Sequence, residues 1–316
     1  RLPINIKNGN ITFILVTIIV STLGFLKSLF VLKIFNQEVL GIISLAQTFQ
    51  STIGLSQLGI FTGGFRIFAY KKENILQKVN SMVLVYFAII SLVVLACTFF
   101  LNRFVDFELG ISGLVFFAVI GLTSLYSNWV ISKLLAKKHI RVVNIIQFYS
   151  ALISLTITVS SYWIGYSGVL YGLFAQPVIV ILGGYILKSS LLPFWSIMNF
   201  VKFFKPVIKL GFIPFLTSGL LMLISQISRW SVVVILGPEI LGRLFIPFLV
   251  VAIASVVPSS LSNLFFPDII SKFELNKSNE LKLALNNYFL ILVVYVVLFS
   301  LLLFSVLNYV VSGWFS

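Results

Sequence analysis

Five stretches of this chain, Val79–Asn102, Gly110–Ser132, Val142–Leu187, Leu244–Pro267 and Leu283–Ser316, contain no Asp, Glu, Lys or Arg. About 20 consecutive apolar residues carry a helix across the hydrocarbon core of a bilayer, whereas buried helices of soluble domains have apolar runs of about 10–14. The uncharged runs therefore predict membrane spans. Val142–Leu187 is long enough for two, divided at Gly165-Tyr166-Ser167-Gly168. The full pattern predicts nine spans, near 9–32, 39–64, 80–101, 110–132, 142–164, 168–187, 209–236, 243–266 and 284–312. Long apolar runs without period-two alternation exclude barrel strands.

Composition agrees. Hydrophobic residues make up 59% of the 316 and charged residues 9%, with a mean hydropathy of +1.12. A soluble domain carries roughly 25% charged residues, enough to cover a wet surface. The net charge of +14 is explained by its distribution. With the N-terminus inside, the inner segments hold Arg1 and Lys7, then Arg66, Lys71, Lys72 and Lys78, then Lys133, Lys137, Lys138 and Arg141. They continue with Lys188, Lys202, Lys205 and Lys209, then Lys272, Lys277 and Lys282, while the outer loops hold only Lys33, Arg103 and Arg243. That asymmetry is the positive-inside rule, and it predicts a cytoplasmic N-terminus. Nucleic acid is excluded as a partner, because no soluble basic face exists to hold it. Cys97 is alone and His139 lies in a basic loop, so neither a disulfide framework nor a metal or other cofactor site is expected.

An internal repeat sets the expected architecture. Ile6-Lys7-Asn8-Gly9-Asn10-Ile11-Thr12-Phe13 opens the first span and Ile208-Lys209-Leu210-Gly211-Phe212-Ile213-Pro214-Phe215 opens the seventh, both as I-K-x-G-x-I-x-F. The same alignment sets Lys27 on Arg229, and Glu38-Val39-Leu40-Gly41 on Glu239-Ile240-Leu241-Gly242. Six spans separate the copies, so both cross in the same direction, as in transporters built from parallel halves. The expected organisation is an N-terminal lobe of six spans over 1–190, an inner linker over 191–208 with Pro193 and Pro206, and three spans of a second lobe over 209–316. Symmetry predicts twelve spans in a complete protein. The opening on Arg1 and the ending at Ser316 after an odd number of spans predict a longer chain.

The chemistry available inside the spans is narrow. All eight acids, Glu38, Glu73, Asp106, Glu108, Glu239, Asp268, Glu274 and Glu280, fall in loops or at span ends. Ion-coupled carriers commonly bind their ion on intramembrane carboxylates, so that mode is not expected. Two cations do lie within spans. Lys27 is expected roughly 13 Å below the exit of the first span at about 1.5 Å per residue, with Arg229 at the equivalent depth of the seventh. A charge at a helix centre costs about 2.5–3.5 kcal/mol on insertion scales, so a watery cavity or a partner is expected beside each. Symmetric cations facing a cavity suit an anion, and Arg suits a phosphate. Arg66, after Gly63-Gly64, is a third candidate at the inner end of the second span. Snorkelling toward the interface is the competing expectation for the two deeper cations, and topology for Arg66.

Polar residues recur at helical spacing: Gln47, Gln50, Ser51, Gly54 and Gln57 in the second span, Ser124, Ser127, Asn128 and Ser132 in the fourth, Asn144, Gln147 and Ser150 in the fifth. Singly such residues hold helices together. As parallel stripes they predict a hydrated vestibule for neutral groups such as sugar hydroxyls, with Tyr126, Trp129 and Tyr149 offering stacking faces. Pro177, Pro214, Pro247 and Pro258 are expected to kink their spans.

Glu38-Val39-Leu40-Gly41, the segment Gly59-Ile60-Phe61-Thr62-Gly63-Gly64-Phe65-Arg66, the run from Ser228-Arg229-Trp230 to Gly237-Pro238-Glu239-Ile240-Leu241-Gly242, and Phe266-Pro267 occur in an order that resembles polysaccharide (O-antigen-type) flippases. These belong to the multidrug/oligosaccharidyl-lipid/polysaccharide superfamily. The resemblance covers essentially the whole chain and implies two six-helix lobes around a central cavity. It implies a transporter, not an enzyme, that moves polyprenyl-diphosphate-linked oligosaccharide from the inner to the outer leaflet of a bacterial inner membrane by alternating access. Diphosphate binding would fall to Arg229, Lys27 and Arg66, and the cavity lining to Gln47, Gln50, Ser51, Gln57, Asn128 and Gln147. Implied partners are the lipid-linked substrate, membrane lipids and other surface-glycan assembly proteins. A multidrug or ion antiporter of the same superfamily would carry acids in its spans. A membrane-embedded polymerase or glycosyltransferase on the same glycan would carry a long outer loop. Neither feature is present, and a peptidoglycan-precursor flippase would add helices beyond these.

Overall fold

A computed structural model describes residues 8–70, 73–104, 110–187, 196–274 and 277–314. The described residues form helices and no strand. In chain order these are α1 (Asn8–Ile34), α2 (Gln37–Leu55), α3 (Ile60–Tyr70), α4 (Glu73–Phe104), α5 (Gly110–Ala136), α6 (Ile140–Val159), α7 (Ser161–Ile164), α8 (Ser167–Leu187), α9 (Ile197–Leu236), α10 (Pro238–Arg243), α11 (Phe245–Glu274) and α12 (Ser278–Trp314). Local chemistry sets several ends. The Asn36 side chain accepts from the Val39 amide at the start of α2, and Ser196 accepts from Asn199 at the start of α9. Gly165, at φ +70°, divides α7 from α8 at the expected break.

Among the described residues, six helical segments are long and apolar enough to cross a membrane, and up to eight if each of two bent pairs is one span. The chain is thus of the multi-pass helical membrane class. The expected eighth span, 243–266, falls on α11, whose apolar stretch is only Phe245–Ser259. Ser255, Ser259, Ser260, Ser262 and Asn263 interrupt its hydropathy. Exposed Leu92, Ile186, Val234 and Phe304 give the bundle an apolar outer surface that suits lipid.

The expected second span, 39–64, is not one straight helix. α2 and α3 meet at 61°, across Leu58 and Gly59 at φ +45° and +82°. The break exposes a carbonyl inside the bundle, and Tyr86 of α4 donates its hydroxyl to that oxygen on Ser56. α9 bends by 60° between Thr217 and Met222, just after Pro214. By contrast α8 runs as a single helix through Pro177, and α11 through Pro247 and Pro258. The part of the expected linker that lies among the described residues is helical from Ile197 and continues into the seventh span.

The principal core lies between α3, α4, α5, α6 and α8, around Phe68, Met82, Trp129 and Val143. α9 lies against α2, α3 and α4, while α11 pairs with α12 and α1. In lipid, where apolar side chains gain little by leaving one apolar phase for another, close packing of small residues drives helix association. Two glycine seams join the early and late helices. Gly59 and Gly63 meet Gly211 and Val207 at backbone contact, so that a Cβ on Gly211 would overlap the Gly59 carbonyl. Near the other end, a Cβ on Gly242 would overlap the Gln37 carbonyl and lie 2.9 Å from the Gly41 amide.

Candidate functional site

α3 and α5 on one side, and α11 and α12 on the other, enclose a cavity of about 430 Å³. The bend at Leu58–Gly59 sets its wall: Gln57 lies at the bend, and Phe61, Thr62 and Phe65 follow on α3. α5 contributes Ser132 and Leu135, α11 contributes Ser262, Phe265, Phe266 and Ile269, and α12 contributes Leu285 and Tyr288. Among the described residues of this lining none is acidic or basic. The hydroxyls of Ser262 and Tyr288 hydrogen-bond at 2.7 Å, and the rings of Phe65 and Phe266 stand 6.1 Å apart across the cavity. Aromatic faces beside hydroxyl and amide groups suit a ligand with both apolar faces and hydrogen-bonding edges, as a sugar ring has.

The cavity lies at the end of the bundle where the basic clusters gather. At its rim the Lys138 ammonium and the Asp268 carboxylate pair at 2.9 Å, joining the α5–α6 turn to α11. The opposite end is packed shut. Val31, Leu40, Ile43, Val169 and Phe245 form one apolar cluster there. Leu45, Phe49, Val233 and Leu241 belong to a second, with Trp230 against Phe49 at 5.1 Å and its indole N–H donating to Thr52 at 2.9 Å. Arg243 also donates to the Gln37 side chain at 2.9 Å. The early and late helices are thus sealed together at one end and parted around a cavity at the other.

The expected cations are not gathered into one cluster. Lys27 donates at 2.9 Å to Ser154 on α6, whose hydroxyl donates to the Gly172 carbonyl on α8 at 2.7 Å. The Arg229 guanidinium lies 4.0 Å from the ring centroid of Phe248 on α11, a cation–π contact, and its buried Nε has no hydrogen-bond partner. Phe248 precedes Ser262 by about four helical turns, roughly 21 Å, so Arg229 and the cavity lie at different levels. Arg66 donates at 3.1 Å to the Leu210 carbonyl on α9.

Among the expected lining residues, Gln57 lines the cavity. Asn128 is exposed, one turn from Ser132 and on the same face of α5, so the polar face continues away from the cavity along that helix. Gln50 instead donates to Ser124 at 2.7 Å and ties α2 to α5. Gln47, Ser51 and Gln147 are half-buried and are not among the cavity-lining residues. Of the three expected stacking faces, only Tyr149 is exposed. Tyr126 and Trp129 are buried core residues, with the Tyr126 hydroxyl bonded to that of Tyr185.

Lys133 corrects the sequence reading most sharply. Counted there with the loop cations, it lies one turn inside α5 and is 0% exposed. Its ammonium donates at 3.0 Å to Asn80, the same oxygen that accepts from the Trp129 indole at 3.0 Å, and it stands 5.0 Å from the Tyr185 ring centroid. The available signal was an asparagine in an otherwise apolar run together with Trp129 and Lys133 at (i, i+4).

Compared with protein-family models, with curated proteins and with solved structures, the chain matches none.

Proposed function

We propose that this protein is a flippase that carries a polyprenyl-diphosphate-linked oligosaccharide, an O-antigen or capsule repeat unit, across a bacterial inner membrane by alternating access. The observation that carries the reading is the uncharged aromatic and hydroxyl-lined cavity between early and late helices at the basic end, under a sealed opposite end. With the N-terminus and the basic end in the cytoplasm, this is an inward-facing carrier. Its glycan would stack on Phe61, Phe65 and Phe266 and hydrogen-bond to Gln57, Thr62, Ser132 and Tyr288. The diphosphate then needs a cation within reach of the path, and Arg229, held between α9 and Phe248, supplies one.

The two-lobed organisation, with parallel six-helix halves and twelve helices in all, is part of the same proposal. It is supported by the contact between Gly41 and Gly242. The internal repeat makes these two positions equivalent, and equivalent positions meet where an approximate two-fold axis passes. Lobes that meet there would tilt against each other about that contact, away from and toward the axis, while the cavity changes sides.

The test is surface glycan display in a host deleted for its own flippase. The wild-type protein restores display. Arg229→Ala at equal expression lowers it by at least about tenfold, the loss of one charge-assisted phosphate contact, and Arg229→Lys retains part. Equal display by wild type and Arg229→Ala would remove Arg229 from the mechanism, and no restoration by wild type would remove the substrate class.

A further inference from the structure

We propose that a recess between α3 and α9, separate from the cavity just described, binds the phosphate of a membrane lipid. The recess has a volume of about 580 Å³ and is lined by Arg66, Pro206, Lys209, Leu210, Ile213 and Pro214. Small-ligand pockets run about 300–1,000 Å³.

Its construction starts with proline. Pro214 has no N–H to give the Leu210 carbonyl four residues earlier, and its ring pushes against that carbonyl. The Leu210 oxygen accepts instead from Arg66 Nη1 on the neighbouring α3, at 3.1 Å. The proline thus both shapes the recess and orients a guanidinium at its edge. Lys209, the residue before Leu210, is exposed and adds a second positive charge to the lining. Pro206, Leu210 and Pro214 recur every four residues and present one face of α9.

The level and the surroundings identify the ligand class. Arg66 lies near the end of α3 and Lys209 follows Lys202 and Lys205 on α9, so the recess stands at the basic end of the bundle, where lipid headgroups meet the protein. Basic pockets between membrane helices at that level bind anionic headgroups. Ile213, in the lining, is 71% exposed, and Phe212 and Leu216 are exposed beside it. An acyl chain can lie along these residues with its phosphate between Arg66 and Lys209. A free phosphate would gain nothing from them. The proposal holds whether or not the protein moves a lipid-linked glycan.

The test uses the purified protein in phosphatidylcholine nanodiscs, with dioleoylphosphatidylglycerol titrated in and thermal unfolding followed. Phosphatidylglycerol is expected to stabilise the wild type, and Arg66→Gln/Lys209→Gln to need about thirtyfold more of it, as fits the loss of two cations at headgroup level. Lys209→Gln alone, which leaves the Arg66–Leu210 bond in place, is expected to shift the midpoint severalfold and decides the matter if the double variant does not fold. Inorganic phosphate at the same concentration is expected to have no effect. Identical titrations of wild type and Lys209→Gln would overturn the proposal. So would saturation by inorganic phosphate with nothing added by the lipid.

Discussion

Tying residue 138 to residue 268 is expected to stop transport. The cavity rim is bridged there by an ion pair whose partners are 65% and 57% exposed. An exposed pair of this kind is worth about 0–1 kcal/mol. It can hold the rim together and still open many times a second without a large barrier. A covalent link removes that freedom. In a Cys97→Ser background, Lys138→Cys/Asp268→Cys joined by a short bis-methanethiosulfonate reagent should fall to the display level of the flippase-deleted host. Reduction should restore it. The charge variants Lys138→Gln and Asp268→Asn should leave both expression and unfolding temperature close to wild type, since so little energy is at stake. Normal transport by the linked protein would mean that this rim does not open, and the inward-facing assignment of the cavity would fall.

The second large effect belongs to the glycine seam. Gly211→Ala sets a methyl group into the Gly59 carbonyl, where both neighbours are backbone and neither can turn aside as a side chain would. Overpacking a fixed core costs about 1–3 kcal/mol, and more where the backbone itself must move. The control is Gly24→Ala on α1, where an added Cβ meets nothing within 4 Å. That change should be neutral or stabilising by up to about 1 kcal/mol, because alanine is the better helix former. Fluorescence-detected size exclusion after a heating series separates them. Gly211→Ala should lose its monodisperse peak well below the wild-type temperature, and Gly24→Ala should keep it. Equal behaviour of the two would show that α3 and α9 are not in backbone contact.

The spans were legible because hydropathy is a sum over many residues and tolerates local detail. The break at Leu58–Gly59 was not, since it depends on two backbone angles, and Gly59 is one of 20 glycines. Proline was a poor guide for a related reason. Pro177 is accommodated inside one continuous helix, whereas Pro214 lies beside the only one of the four prolines' helices in which a large bend is described. Polar stripes mixed two roles and pointed to neither α11 nor α12. Gln57 and Ser132 line the cavity, and Gln50 and Ser124 hold α2 to α5. Which role a residue takes is decided by the rotation of its helix against a neighbour, and one helix's period does not contain that rotation. The aromatic half of the lining was hidden by abundance, because Phe61, Phe65, Phe265 and Phe266 are four of 32 phenylalanines. Lys133 was misplaced through the converse error: a basic residue near a span end was read from topology, while its helix carries it one turn further in, to Asn80.

The central claim is that the protein moves a lipid-linked glycan between leaflets, and leaflet accessibility measures that directly. Vesicles are loaded with a fluorescent polyprenyl-diphosphate-linked sugar, reconstituted with the purified protein, and treated with dithionite, which bleaches only the dye that it can reach from outside. With wild-type protein the inner-leaflet pool should become bleachable over time, and with Arg229→Ala it should stay protected. Bleaching that stops at the outer-leaflet share with wild type, as in protein-free vesicles, would contradict the account.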